Sequence, residues 1–198
     1  MNKKTASFLI VGVLFFTPIF SYAQQCPSPT EFLGQTMGQA RHVLNKAFPN
    51  RWSENGPLCS SNYFNLMTDM VGASGSTTIC NSPDAVERIL VFGFDDPSKV
   101  IGLMYLLPAG IERNTLQSLF SKDLRVKLET TEGYPNRGLA RLLGNRPGPT
   151  WKLLSTNQHF FVEVRTGQDE KTEAFVYDLR ALESEKEAFD TCLKEFGR

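Results

Sequence analysis

The sequence predicts an α+β fold: one disulfide-linked domain built on a mostly antiparallel sheet, with about three helices on one face. Three observations lead there. Helical and strand periodicities alternate in the order helix, strands, helix, strands, helix. Neighbouring strand candidates are joined by turns short enough to make hairpins, which favours antiparallel pairing and helices set to one side. Four cysteines, an even number, follow an export signal, as in small proteins that fold in an oxidising compartment.

The signal occupies residues 1–23. Met1-Asn2-Lys3-Lys4 is a short basic start, Phe8 to Phe20 is apolar and is broken by Pro18, and Ser21-Tyr22-Ala23 offers small residues for cleavage before Gln24. The apolar run is shorter than the roughly 20 residues that a helix needs to span a bilayer. The expected product is periplasmic or secreted, with no transmembrane span in the mature form. Gln24-Gln25 ahead of Cys26 argues against a lipidated cysteine. The formal net charge of the whole chain is +0. Losing Lys3 and Lys4 with the leader leaves a slight acidic excess, which gives no global field to draw nucleic acid.

Residues 24–35 form a Pro-, Ser- and Gln-rich lead-in, and residues 36–198 form the single domain. Over Thr36 to Phe48 the spacing predicts a helix. Met37, Ala40, Val43, Leu44, Ala47 and Phe48 share a face, Thr36 and Gln39 stand at capping-box positions, and Pro49 ends the run. Residues 50–87 are irregular, rich in Asn, Ser, Gly and Pro. Ile89 to Phe94 and Val100 to Leu107 make a hairpin across Asp95-Asp96-Pro97-Ser98-Lys99.

A second helix follows, capped by Asn114 with Leu116, Leu119 and Phe120 inward. Leu124, Val126 and Leu128 then alternate with charged residues, as in a half-buried strand. Residues 130–150 are a loop around a short apolar turn, Leu139 to Leu143. Strands are expected over Trp151 to Ser155, Phe160 to Arg165 and Ala174 to Leu179. A closing helix runs from about Arg180 to Phe196, with Leu182, Phe189, Leu193 and Phe196 on one face and Cys192 at its edge. Glu185 falls within that stripe, where its carboxylate is expected to reach past the core edge to a cation. Both halves hold a helix followed by strands, yet their residues do not match in detail.

The four cysteines are Cys26, Cys59, Cys80 and Cys192. Zinc sites bring their ligands in close pairs, and no C-x-x-C is present, so disulfides are expected and no metal. The favoured pairing joins Cys59 to Cys80 and Cys26 to Cys192, for about 3 and about 5 kcal/mol in the chain-entropy account. Cys26–Cys59 with Cys80–Cys192 stays open.

Catalytic and cofactor motifs are sparse. The chain carries no H-E-x-x-H, no P-loop and no G-x-G-x-x-G, so no cofactor is expected. Gly72-Ala73-Ser74-Gly75 lacks the spacing of a nucleophile elbow. His42 points away from the apolar face of its helix. His159 and Glu163 are the best available acid–base pair, but no nucleophile accompanies them. Asp95 and Asp96 are explained by turn chemistry.

One charge pattern stands apart. From Gly133 to Val162 there is no acid, while Arg137, Arg141, Arg146, Lys152 and His159 are interleaved with Tyr134 and Trp151. The next stretch, to Arg198, holds ten acids against six bases, so the chain end is polarised. Arg137, Arg141, Arg146, Trp151 and Lys152 are therefore the candidate binding residues, and an acidic protein, a glycan or a lipid head group the candidate partner. The alternative has these arginines pairing with Glu183, Glu187 or Asp190 of the last helix. Trp52 and Trp151 suit either a contact surface or a core. The function expected from these features is non-enzymatic binding, as by an inhibitor, an immunity-type protein or a secreted factor. A small exported hydrolase using His159 and Glu163, or a structural envelope protein, is the alternative.

Overall fold

A computed structural model of the chain describes residues 27–69, 88–144, 150–166 and 171–196. The leader, Cys26, the segment with Gly72 to Gly75, Cys80 and Arg146 lie outside the described residues. Among those described, the elements are α1 (Pro29–Phe32), α2 (Met37–Ala47), β1 (Trp52–Asn55), β2 (Tyr63–Asp69), β3 (Arg88–Phe94), β4 (Val100–Leu107), α3 (Arg113–Asp123), β5 (Leu128–Thr131), α4 (Arg137–Leu143), β6 (Thr150–Ser155), β7 (Phe160–Thr166), β8 (Thr172–Asp178), α5 (Leu179–Ser184) and α6 (Lys186–Phe196). None of these helices is long and apolar enough to cross a membrane.

The fold is α+β, with one eight-stranded sheet in the order β1-β2-β3-β4-β8-β7-β6-β5. Every pair is antiparallel. Each half is a four-strand meander preceded by an 11-residue helix, α2 or α3. The halves meet at the centre, where β4 pairs with β8 from Gly102↔Tyr177 to Leu107↔Thr172. The topology is thus the same unit laid down twice, although the side chains differ.

Local chemistry explains the helix ends. The Gln39 N–H donates to Thr36 Oγ1 (3.2 Å) and the Thr36 N–H donates to Gln39 Oε1 (2.9 Å), so the capping box of α2 is formed. Helix α3 starts at Arg113, one residue before the expected cap, and Glu112 at its N-cap makes no side-chain bond. Leu124 to Val126 does not extend as a strand. Arg125 has φ 54°, a turn conformation, and β5 begins only at Leu128. Leu139 to Leu143 belongs to a helix, capped by Asn136, whose Oδ1 accepts from the Leu139 N–H at 2.8 Å. The closing helix is two pieces broken at Glu185. The Glu185 carboxylate accepts from the backbone N–H of Lys99 at 3.2 Å, so an amide takes the place of the expected cation.

Three helices do cover one face. Phe32, Met37, Leu44, Leu116 and Phe120, from α1, α2 and α3, pack on Leu66, Val91, Leu103, Tyr105, Val162 and Val176 of the sheet. The opposite face carries α4, α5 and α6 over a second core that includes Phe92, Ile101, Leu139, Phe161, Phe175, Tyr177, Leu182 and Phe189. Strands β3, β4 and β8 place apolar residues in both cores, and β7 adds Phe161 to the second beside its buried charges, so water must be excluded from both faces.

Cys59, in the β1–β2 connection, is bonded to Cys192 on α6, with Cα atoms 5.4 Å apart. This corrects both pairings considered from the sequence. The reason is topological: the hairpin lays the Cys59 loop on the second face, under the helix that carries Cys192. Cys26 and Cys80 are the two cysteines left over.

Candidate functional site: a cavity on the second sheet face

Strand register builds the floor of the site. Asn65, Phe92, Gly102 and Tyr177 lie in one row across β2, β3, β4 and β8, and Leu90, Met104 and Phe175 lie in the next. Tyr63 stands at the end of β2, its ring 5.5 Å from that of Phe94. Gly102 is required in its row. A Cβ there would sit 2.5 Å from Phe92 Cε2 and 2.9 Å from Tyr177 Cδ1. The two rings close over it, edge to face, with centroids 5.4 Å apart.

The walls come from α4 and α6. Gly138 lets them approach closely, since a Cβ at this position would lie 2.9 Å from Phe189 Cε1. Arg141 and Leu142 of α4, Phe189, Cys192 and Leu193 of α6, and Leu58 beside the disulfide complete a cavity of about 560 Å³. Its rim is pinned. The Cys59–Cys192 bond ties the loop to α6, and the Ser60 N–H donates to Glu195 Oε2 at 2.6 Å, with the Ser60 hydroxyl on the same carboxylate.

The lining is mostly aromatic and aliphatic, with Arg141, Asn65 and two tyrosines among it. Leu58, 40% exposed, is the large apolar side chain that stands most open among the described residues. Arg141 is exposed too, so the cavity opens where these two residues stand.

The predicted binding residues divide. Arg137 and Arg141 occupy successive turns of α4, both exposed, and among the described residues neither enters an ion pair. Glu183, on α5, meets Lys186 at the start of α6 at 3.7 Å. Lys152 faces the same side from β6. Its Nζ lies 4.6 Å from the Tyr134 ring centroid and donates to the Glu132 carbonyl at 3.3 Å. Trp151, one residue earlier, necessarily points to the other face, where it packs on the first core beneath the Arg113 guanidinium at 5.1 Å. Trp52 joins that core as well, and its Nε1–H donates to Asn45 at 2.9 Å.

A group of charges flanks the floor; sequence reasoning singled out Glu163, as a partner for His159, but not Arg165. Glu163 lies between Lys152 and Phe175 in register and is fully buried; Arg165 is 4% exposed. The Arg165 Nε–H donates to Glu173 Oε2 at 2.8 Å, and its guanidinium lies 4.1 Å above the Phe175 ring centroid. Partial burial and the adjacent Glu163 carboxylate push the Tyr134 hydroxyl up to about 12. The available signal was the appearance of Glu163 and Arg165 at alternate positions of the otherwise apolar strand Phe160–Thr166.

The remaining candidates have structural partners. The His159 N–H donates to Ser155 Oγ at 3.0 Å. His42 is exposed on α2 and lines a shallow polar recess with Thr36, Gln39 and Asp96. Asp95 Oδ1 accepts from the Asp96 N–H at 2.9 Å, and Asp96 Oδ1 accepts from the Gly38 N–H at 3.3 Å, fixing the hairpin to the start of α2. Among the described residues no three His, Cys, Asp or Glu side chains are placed to hold a metal ion. No family model, curated protein or solved structure matches the chain.

Proposed function

We propose that the mature chain is an exported, non-enzymatic binding protein that takes an anionic partner at the edge formed by α4. The observation that carries this reading is the exposed Arg141 guanidinium at the mouth of an apolar cavity, with Arg137 one turn away and no acid of the described residues neutralising either. An unpaired guanidinium offers a planar fork of donors to a carboxylate or phosphate. Apolar surface beside it adds affinity that charge alone does not supply. The disulfide across the cavity rim suits an oxidising compartment.

The test uses two anionic probes, poly-L-glutamate and phosphatidylglycerol vesicles, with the wild type and the Arg137→Ala/Arg141→Ala double variant. Exposed, unpaired charges contribute only a few tenths of a kcal/mol each to stability, so the variant should melt as the wild type does. Its binding should weaken, and more at low salt than at about 0.15 M, where screening already removes much of the attraction. A destabilised variant whose binding is unchanged would refute the reading.

A further inference from the structure

We infer that the cavity on the second sheet face is a binding site for a single-chain anionic amphiphile, its alkyl chain held between the sheet and α6 and its head group on Arg141. The inference rests on the proposed function above and specifies its partner.

The lining chooses the ligand. Leu90, Phe92, Met104 and Phe175 make the floor, while Leu142, Phe189 and Leu193 make the walls. Its polar members are Arg141, Asn65, Tyr63 and Tyr177. A peptide pushed into such a space would bury a backbone N–H and C=O at every residue, more than these four side chains can pair, at a cost of a few kcal/mol for each group left over. An alkyl chain has no polar groups to satisfy and gains with every methylene taken out of water. A volume of about 560 Å³ lies within the range of ligand pockets rather than of packing defects.

The mouth chooses the head group. Arg141 is the charged side chain of the lining. Glu195, on α6 at the rim, is engaged by Ser60. A carboxylate emerging beside Leu58 therefore meets an available guanidinium, whereas an ammonium head meets like charge.

Calorimetric titration of the mature, oxidised protein tests this with dodecanoate, decanoate, dodecanol and dodecyltrimethylammonium, each below its micelle concentration. Dodecanoate should bind saturably at one site per chain, and decanoate about 15-fold more weakly, since each buried methylene is worth about fourfold. Dodecanol and the ammonium compound should bind at least tenfold more weakly than dodecanoate. Arg141→Gln, an exposed change that leaves the core alone, should remove that preference while keeping dodecanol affinity. Met104→Trp, which fills the floor, should abolish binding of all four; the Arg141→Gln result stands whether or not Met104→Trp folds.

Absence of saturable dodecanoate binding, or a preference that survives Arg141→Gln, overturns the inference. If dodecanoate fails while poly-L-glutamate still binds through Arg137 and Arg141, the amphiphile site falls and the anionic-partner reading stands. If neither binds, both fall.

Discussion

Removing the Cys59–Cys192 bond by a Cys59→Ala/Cys192→Ala double substitution should cost most of the stability this domain can spare. The sequence separation of the bridge is 133 residues, and the chain-entropy relation gives about 5 kcal/mol for a loop of that size. A domain of this length is typically stable by about 5–15 kcal/mol, and each kcal/mol corresponds to about 2–4 °C. The melting temperature should therefore fall by about 10–20 °C. Urea unfolding followed by circular dichroism measures the stability lost. A loss below about 1 kcal/mol would refute the reasoning. Disulfide mapping by peptide mass spectrometry on the wild type supplies the companion result: the Cys59 peptide should be joined to the Cys192 peptide, and a link from Cys59 to Cys80 would contradict the topology.

Other expectations follow from the same physics. Thiol titration of the denatured, unreduced mature protein should find no free thiol, because Cys26 and Cys80 are left to pair with each other; two reactive thiols would contradict this. Intact mass of the exported form should place its start at Gln24, and retention of Met1 would exclude cleavage there. In an alkaline absorbance titration, the step removed by Tyr134→Phe should lie near pH 12, and Glu163→Gln should move it down. Because the folded value is raised above the ordinary one of about 10, the associated stabilisation is fully present below that pH and is lost as pH rises towards 12. Gly102→Ala should destabilise by about 1–3 kcal/mol by forcing the Phe92 and Tyr177 rings apart, measured by the same urea series.

Periodicity and turn chemistry made much of the fold legible. The β3–β4 hairpin, the capping box of α2 and the strands β6 to β8 are set by residues close in sequence, and all can be read there. The second helical layer was hidden, because nothing local says that Phe92, Phe175 and Tyr177 of three separate strands will share a face needing cover. Asn, Pro and Gly density around Leu139 to Leu143 also masked a seven-residue helix. The candidate site was legible only in part. A run without acids pointed to Arg137 and Arg141, but strand alternation sends Trp151 and Lys152 to opposite faces, so a patch defined by sequence proximity could not survive intact. The cavity itself is assembled from β2, β3, β4, β8, α4 and α6. Its floor depends on long-range register, and its rim on a disulfide whose partner only the topology decides.

The most direct test of a binding site at the Arg141 cavity is a methyl-resolved NMR titration of the mature protein with dodecanoate. The account predicts saturable shifts at the methyl groups of Leu58, Leu90, Met104 and Leu142, which line the cavity, and no change at Met37, Leu44 or Leu116 in the core on the opposite face. Shifts confined to the opposite face, or no saturable shift anywhere, would contradict it.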